Sequence, residues 1–274
     1  MASDLTKIGA NVSAMQSLSS LSDINGKIAM RQLRLATGKR INSTEEDPAG
    51  YQIARGLERR RRGLEVALAN VGTAKNVLNI AEGGYQTIMD LLQTMKEKAT
   101  QASDVSLSST QRSAINDQVS ALISEIDAIV TETSFNGTAL IDGSYSSKAF
   151  HTGEGATDEL SVTLNGADSA DLSIDSVNVS SAASASAAIS SLSSAIDTLA
   201  GRVQDVGEFK SRLSAKESNL AVAITNTESA RSVIEDADFA KEQMEVMKLQ
   251  ILQQTAVASL VQANSSPQVV LSLF

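Results

Sequence analysis

The chain has no cysteine and no tryptophan, one histidine, two prolines and 3% aromatic residues in 274 positions. Without cysteine there is no disulfide, no thiol nucleophile and no thiolate metal site. The single His151 rules out any site that needs two histidines. With so little proline, long stretches can stay helical without interruption. The scarcity of aromatics argues against a thick globular core and for thin seams between helices. No run of 18 purely apolar residues occurs, so nothing reads as a membrane span. The opening MASDLTKIGANVSAM has neither the basic nor the apolar stretch of a secretory signal peptide. Nucleophile–base pairs, phosphate loops and metal-ligand clusters are missing, so the chain does not read as an enzyme and no cofactor is expected. The formal net charge of -9 disfavours nucleic acid and anionic membranes as partners. Arg59 to Arg62 form a local exception, read as a solvated helix stripe or as ion-pair partners of nearby acids.

What the chain does have is helical periodicity. Leu5, Ile8, Val12, Met15, Leu18 and Leu21 recur every three or four residues, which predicts a helix over about 4–33 with one apolar stripe. Gly38 ends it, and Asp47-Pro48 starts the next helix, since aspartate caps well and proline suits a first turn. From about 48 to 103 a heptad runs through Leu57, Leu64, Val71, Leu78, Tyr85 and Leu92. Its second line is Ala67, Ala74, Ala81, Ile88 and Met95. A third helix over about 109–132 carries Ile115, Val119, Leu122, Ile126 and Ile129 and should fold back on the second.

Phe135-Asn136-Gly137 and Asp142-Gly143 break the helical pattern. Leu160, Val162 and Leu164 alternate with polar residues up to Asn165-Gly166, a hairpin signal, with Leu172 to Val179 as the second strand. A fourth helix starts near 183, with Lys210 and Glu217 as polar insertions in its heptad. A fifth, over about 236–263, carries Met244, Met247, Ile251, Ala258 and Val261 on one face, and Pro267 should stop it. Leu249 to Phe274 carry no charged side chain and five glutamines, a poor membrane anchor and a good neutral interface.

The lone methionines, Met244 and Met247 among them, read as core packing rather than ligands. The acidic groups Glu45, Glu46, Asp47 and Glu235, Asp236, Asp238 read as solvated helix starts. His151 reads as a partly exposed strand or loop residue. The fold class expected is mainly α: a long antiparallel helical bundle or coiled coil with paired N- and C-terminal helices and a small β element in the middle.

Four stretches resemble bacterial flagellin, in order and at both ends of the chain. They are Leu35 to Ser43 with Asp47 to Gly50; Phe135 to Gly143; Ala230 to Glu242; and Ile251 to Ala256, continuing through Gln262 to Asn264 and Pro267 to Leu271. The chain resembles a short, minimal form with little or no variable outer domain. Met1 to Lys7 are longer and more polar than the usual start, and Leu273-Phe274 replace the usual end. Some relatives hide a zinc protease in the variable part, which one histidine cannot support.

The resemblance implies a structural subunit, exported and polymerised into the extracellular flagellar filament for swimming. It implies an inner core of 1–43 plus 236–274 lining the lumen, an outer core of 44–139 plus 183–235, and a β element at 140–182. The polymerisation interface would use Leu5, Ile8, Val12, Met15, Leu18 and Leu21 with Met244, Met247, Ile251, Ala258 and Val261. Implied partners are further copies of the chain, an export chaperone at the C-terminal helix, the flagellar type III export apparatus (its signal near 26–47), and the cap and hook-filament junction proteins. The family's Toll-like receptor patch aligns with Gln93, Glu97 and Gln101, weakened by Thr94 and Lys98. The hook-filament junction protein is an alternative that shares the helical ends, but Phe135 to Gly143 and the last 25 residues favour flagellin.

Overall fold

A computed structural model describes residues 11–271. Five helices carry the fold: α1 (Val12–Thr37), α2 (Pro48–Ala102), α3 (Ser109–Glu132), α4 (Ala182–Glu235) and α5 (Phe239–Leu271). Four short strands, β1 (Ser134–Phe135), β2 (Thr138–Ala139), β3 (Lys148–His151) and β4 (Glu159–Val162), lie between α3 and α4. The chain forms two compact units, one drawn from both ends (Met1–Arg59 and Asn226–Phe274) and one from the middle (Arg60–Thr225).

The middle unit holds the core. On α2, Leu64, Ala67, Val71, Ala74, Leu78, Ala81, Tyr85, Ile88, Leu92 and Met95 are all buried, in the three-four alternation of the heptad. Leu192, Leu199, Val206, Leu213 and Leu220 of α4 and Ile115, Val119, Ile126 and Val130 of α3 join the same cluster. A fully buried leucine or isoleucine side chain contributes about 2 kcal/mol relative to exposure. The polar insertions of α4 are matched across the seam: Lys210 pairs with Glu82 at 2.6 Å and Glu217 with Lys75 at 2.7 Å. Seven residues forward on one helix meets seven back on the other, so α2 and α4 run antiparallel. The start of α3 is fixed by a capping box between Ser108 and Gln111. Arg112 reaches back to the carbonyls of Ala102 and Asp104.

The strands depart from the sequence pattern. β4 pairs antiparallel with β3, which precedes it, and not with the 172–179 stretch that follows. Asn165-Gly166 is therefore not the hairpin turn. That role falls to Asn136-Gly137 between β1 and β2, both at positive φ (51° and 75°), as a two-residue primed turn requires. Leu172, Ile174 and Val179 are buried, but in a chain of turns and not in a strand. Their segment is anchored by α3 side chains: the Asp127 carboxylate accepts from Ser169 N and Oγ (2.8 and 2.9 Å), and Asn116 accepts from Val179 N at 2.9 Å. The Asn165 carbonyl, which a hairpin would have turned to its partner strand, accepts the Tyr85 hydroxyl at 2.5 Å. His151 is half-buried at the end of β3. In the arginine run, Arg60 pairs with Glu154 and Arg61 with Glu65.

In the terminal unit α1 and α5 lie side by side. Asn11 meets Ala263, Asn25 meets Gln253 and Arg31 meets Glu242, so the pairing is antiparallel. Gly38 caps α1 in the left-handed region (φ 70°), its N–H donating to Arg34 O. Asp47 caps α2 by accepting from Gly50 N at 2.9 Å. A Cβ at Gly50 would run into the Asp47 carboxylate and the end of Ile41, so a larger residue there must push the capping carboxylate aside. Pro267 does not stop α5, which continues to Leu271. A proline inside a helix leaves the carbonyl four residues back without its donor. That carbonyl belongs to Ala263, and the Asn11 side-chain amide donates to it at 2.9 Å.

Candidate functional site

The composition of α5 decides where a site can be. Apolar residues surround this helix instead of forming one stripe. Its inner line is Glu242, Val246, Leu249, Gln253, Ala256, Leu260 and Ala263, buried or half-buried at alternating spacings of four and three. The matching line on α1 is Ala14, Ser17, Leu21, Ile24, Ile28 and Arg31. Opposite lie Met244, Met247, Ile251, Ala258 and Val261, all exposed. Val12, Met15 and Leu18 are exposed on α1. The expected interface residues thus form an outward surface that the protomer itself leaves uncovered, with Leu21 alone among the described ones turned toward the α1–α5 seam. Leu5 and Ile8 lie outside the described residues. The inner line of α5 was not picked out from the sequence, although its spacing there is as regular as that of the outer one. Met244 and Met247 pack into no core of their own chain.

Two buried carboxylates tie the helix ends together. Glu235, the last residue of α4, is 2% exposed and meets Lys39 Nζ at 2.6 Å, Arg231 Nη1 at 2.8 Å and Arg55 Nη2 at 3.4 Å. It is not the solvated helix-start acid the sequence suggested; Asp238 holds that role, accepting from Lys241 N at 3.1 Å. Burial pushes the Glu235 carboxyl up, but the hydrogen bonds and charges of Lys39 and Arg231 outweigh it and hold the group below the usual glutamate range. Glu242, 5% exposed, takes both Nη1 of Arg31 (2.8 Å) and Nη1 of Arg34 (3.5 Å), while Arg34 Nη2 also binds Glu46 at 3.1 Å. Backbone bonds Arg40 N to Glu235 O (2.6 Å) and Ala237 N to Gly38 O (2.9 Å) close the junction. The 38–47 connector is therefore clamped to the α4–α5 turn.

Gln93, Glu97 and Gln101 are exposed on α2 at four-residue spacing, while Thr94 and Lys98 are half-buried beside them. Among the described residues no group of three or more His, Asp or Glu is placed to hold a metal ion, and no helix is long and apolar enough to cross a membrane.

Comparison with known proteins gives this arrangement its context. The model of the bacterial flagellin N-terminal helical region matches residues 8–146, and that of the C-terminal helical region matches 189–274. The chain belongs to the bacterial flagellin family. The flagellin of Bacillus subtilis (strain 168) is 31% identical, over 97% of this chain and 99% of its own. Flagellin FlaB1 of Treponema pallidum (strain Nichols) is 30% identical, again over 97% and 99%. A solved structure described as a flagellar hook-associated protein from Vibrio parahaemolyticus shares the fold at a TM-score of 0.59. It is 12% identical and covers 69% of this chain and 99% of its own, a likeness of fold alone. Like its family, this flagellin is a structural filament subunit and not an enzyme, and it polymerises with itself.

Proposed function

We propose that the outward faces of α1 and α5 are the polymerisation interface, with Val12, Met15, Leu18, Met244, Met247, Ile251, Ala258 and Val261 buried only by neighbouring copies. The supporting observation is that α5 has two apolar faces and its own chain covers one. Covering the other stabilises by roughly 25 cal/mol per Å² of apolar area. A surface that fits a different patch on the next copy propagates as an open helical filament where its rotation does not close into a ring. In this reading 1–43 with 236–274 line the lumen, 44–139 with 183–235 surround them, and 140–182 stand in the place of a variable domain. The filament is extracellular. The chain reaches it through type III export, with a chaperone on the neutral C-terminal helix and with cap and junction proteins at the filament ends.

The test is a paired substitution, Met244→Ser with Ile251→Ser, set against the inner-face change Leu249→Ala. The outer pair should leave monomer helicity and melting unchanged and abolish growth from filament seeds. Wild-type growth from that pair would refute the assignment. Growth of long filaments from purified wild-type subunits also separates this reading from a junction protein, which would stop at a single ring.

A second surface concerns innate recognition. Glu97 and Gln101 fit the receptor patch, but Thr94 stands where the family usually has arginine, and losing one arginine anchor costs about 2 kcal/mol or more at an interface. Reporter cells carrying the flagellin-sensing Toll-like receptor should respond weakly to this protein. Thr94→Arg should raise the response, and an unaltered strong response in the wild type would overturn this.

A further inference from the structure

With no cysteine, all the sulfur in this chain is methionine thioether, and its distribution is uneven. Of seven methionines, Met15, Met30, Met244 and Met247 lie on α1 and α5 at 68%, 40%, 59% and 49% exposure. Met95, in the middle unit, is 0% exposed, and Met89 on the same helix is half-buried. Exposure governs how readily a thioether meets an oxidant dissolved in water.

We propose that Met15, toward one end of the α1–α5 pair, and Met244 and Met247, toward the other, are peroxide-sensitive positions: oxidation to sulfoxide in the free subunit blocks assembly, and assembly shields the same three sulfurs. The proposal rests on the outward faces being the interface. The oxidant is hydrogen peroxide. Its O–O bond breaks, one oxygen forms a bond to the methionine sulfur, and the other leaves as water. The sulfur loses two electrons and the peroxide gains them. The product is polar and chiral where the thioether was apolar and adaptable. The outward apolar residues Val12, Leu18, Ile251, Ala258 and Val261 carry no side-chain donor, so a sulfoxide oxygen buried against them loses its water without replacement and opposes association; the exposed Ser19, Gln243, Lys248 and Gln250 stand within a turn of the three sulfurs and offset part of that cost. Solvent screens the same oxygen in the monomer, so folding of the protomer is left intact.

The experiment exposes full-length subunits and preformed filaments to dilute hydrogen peroxide and maps each methionine by peptide mass spectrometry. In monomers Met15, Met244 and Met247 should oxidise at least tenfold faster than Met95; in filaments that advantage should vanish. Oxidised monomers should keep their circular dichroism, elongate seeds at least tenfold more slowly, and recover after treatment with methionine sulfoxide reductases. The variant Met15→Leu, Met244→Leu, Met247→Leu lacks the three reactive sulfurs, so its own elongation rate, compared before and after peroxide, should not change. Oxidised wild-type monomers that elongate normally would overturn the proposal while leaving the interface assignment standing. Equal reactivity of the three sulfurs in monomer and filament would overturn both. Peroxide inhibition that persists in the leucine variant, or that reductases fail to reverse, would place the damage elsewhere and also overturn it.

Discussion

At the residue scale, Glu235 and Asn11 each do work that their neighbours in sequence do not announce. Glu235 meets three cations from three segments, so removing its charge strands them together. Glu235→Gln should cost about 1–3 kcal/mol, below the range for fully buried pairs because Lys39 and Arg55 remain partly solvated; urea unfolding at neutral pH measures it. Its carboxyl is held below the ordinary glutamate range. The stabilisation is therefore complete above that range and lost as pH falls through the depressed folded value. Wild-type stability should drop more steeply than that of Glu235→Gln on acidification from pH 5 to pH 3, and parallel curves would refute the coupling. Asn11 caps α1, accepting from Ala14 N, and also donates to the Ala263 carbonyl that Pro267 orphans. Asn11→Asp keeps the cap and loses the donor. It should cost about 1 kcal/mol and speed amide exchange near the end of α5. Neither role was legible from local pattern. An acid beside Asp236 and Asp238 looks like a helix start until the fold turns it inward, and the partner of a proline-orphaned carbonyl lies at the other end of the chain.

At the element scale, the heptads of α2, α3 and α4 were readable because burial repeats every seven residues in a seam, and Leu192, Leu199, Val206, Leu213 and Leu220 follow that rule without exception. The polar insertions Lys210 and Glu217 looked like interruptions, and become register marks once Glu82 and Lys75 stand opposite. Reversing one pair tests this: Lys210→Glu should destabilise the middle unit, and adding Glu82→Lys should restore most of the loss, with a coupling of about 0.5–1 kcal/mol for a half-exposed pair. The strand assignment failed for a physical reason. Alternation at 160–164 was real, but the following segment closes its backbone bonds in local turns, and Asp127 and Asn116 of α3 hold it at Ser169 and Val179, which no period in that segment encodes. On α5 both faces carry an apolar period, so periodicity could identify a stripe without saying which one the chain keeps for itself.

At the scale of the whole molecule, the continuous core runs from Leu64 to Leu220 and lies within the middle unit. A fragment spanning 60–225 should therefore unfold cooperatively on its own and never polymerise, as calorimetry and light scattering would report; a fragment without a cooperative transition would refute this division of labour. The terminal unit differs in kind, since its pairing joins segments 252 residues apart. Contacts of such separation are slow to find, because the loop between them must close first. A polypeptide made from its amino end forward has no α5 for α1 to pair with until the whole middle unit, Arg60–Thr225, has been made. The earlier helix thus waits as a lone strand of chain while everything between the two is being made, and only the arrival of the later one lets it dock.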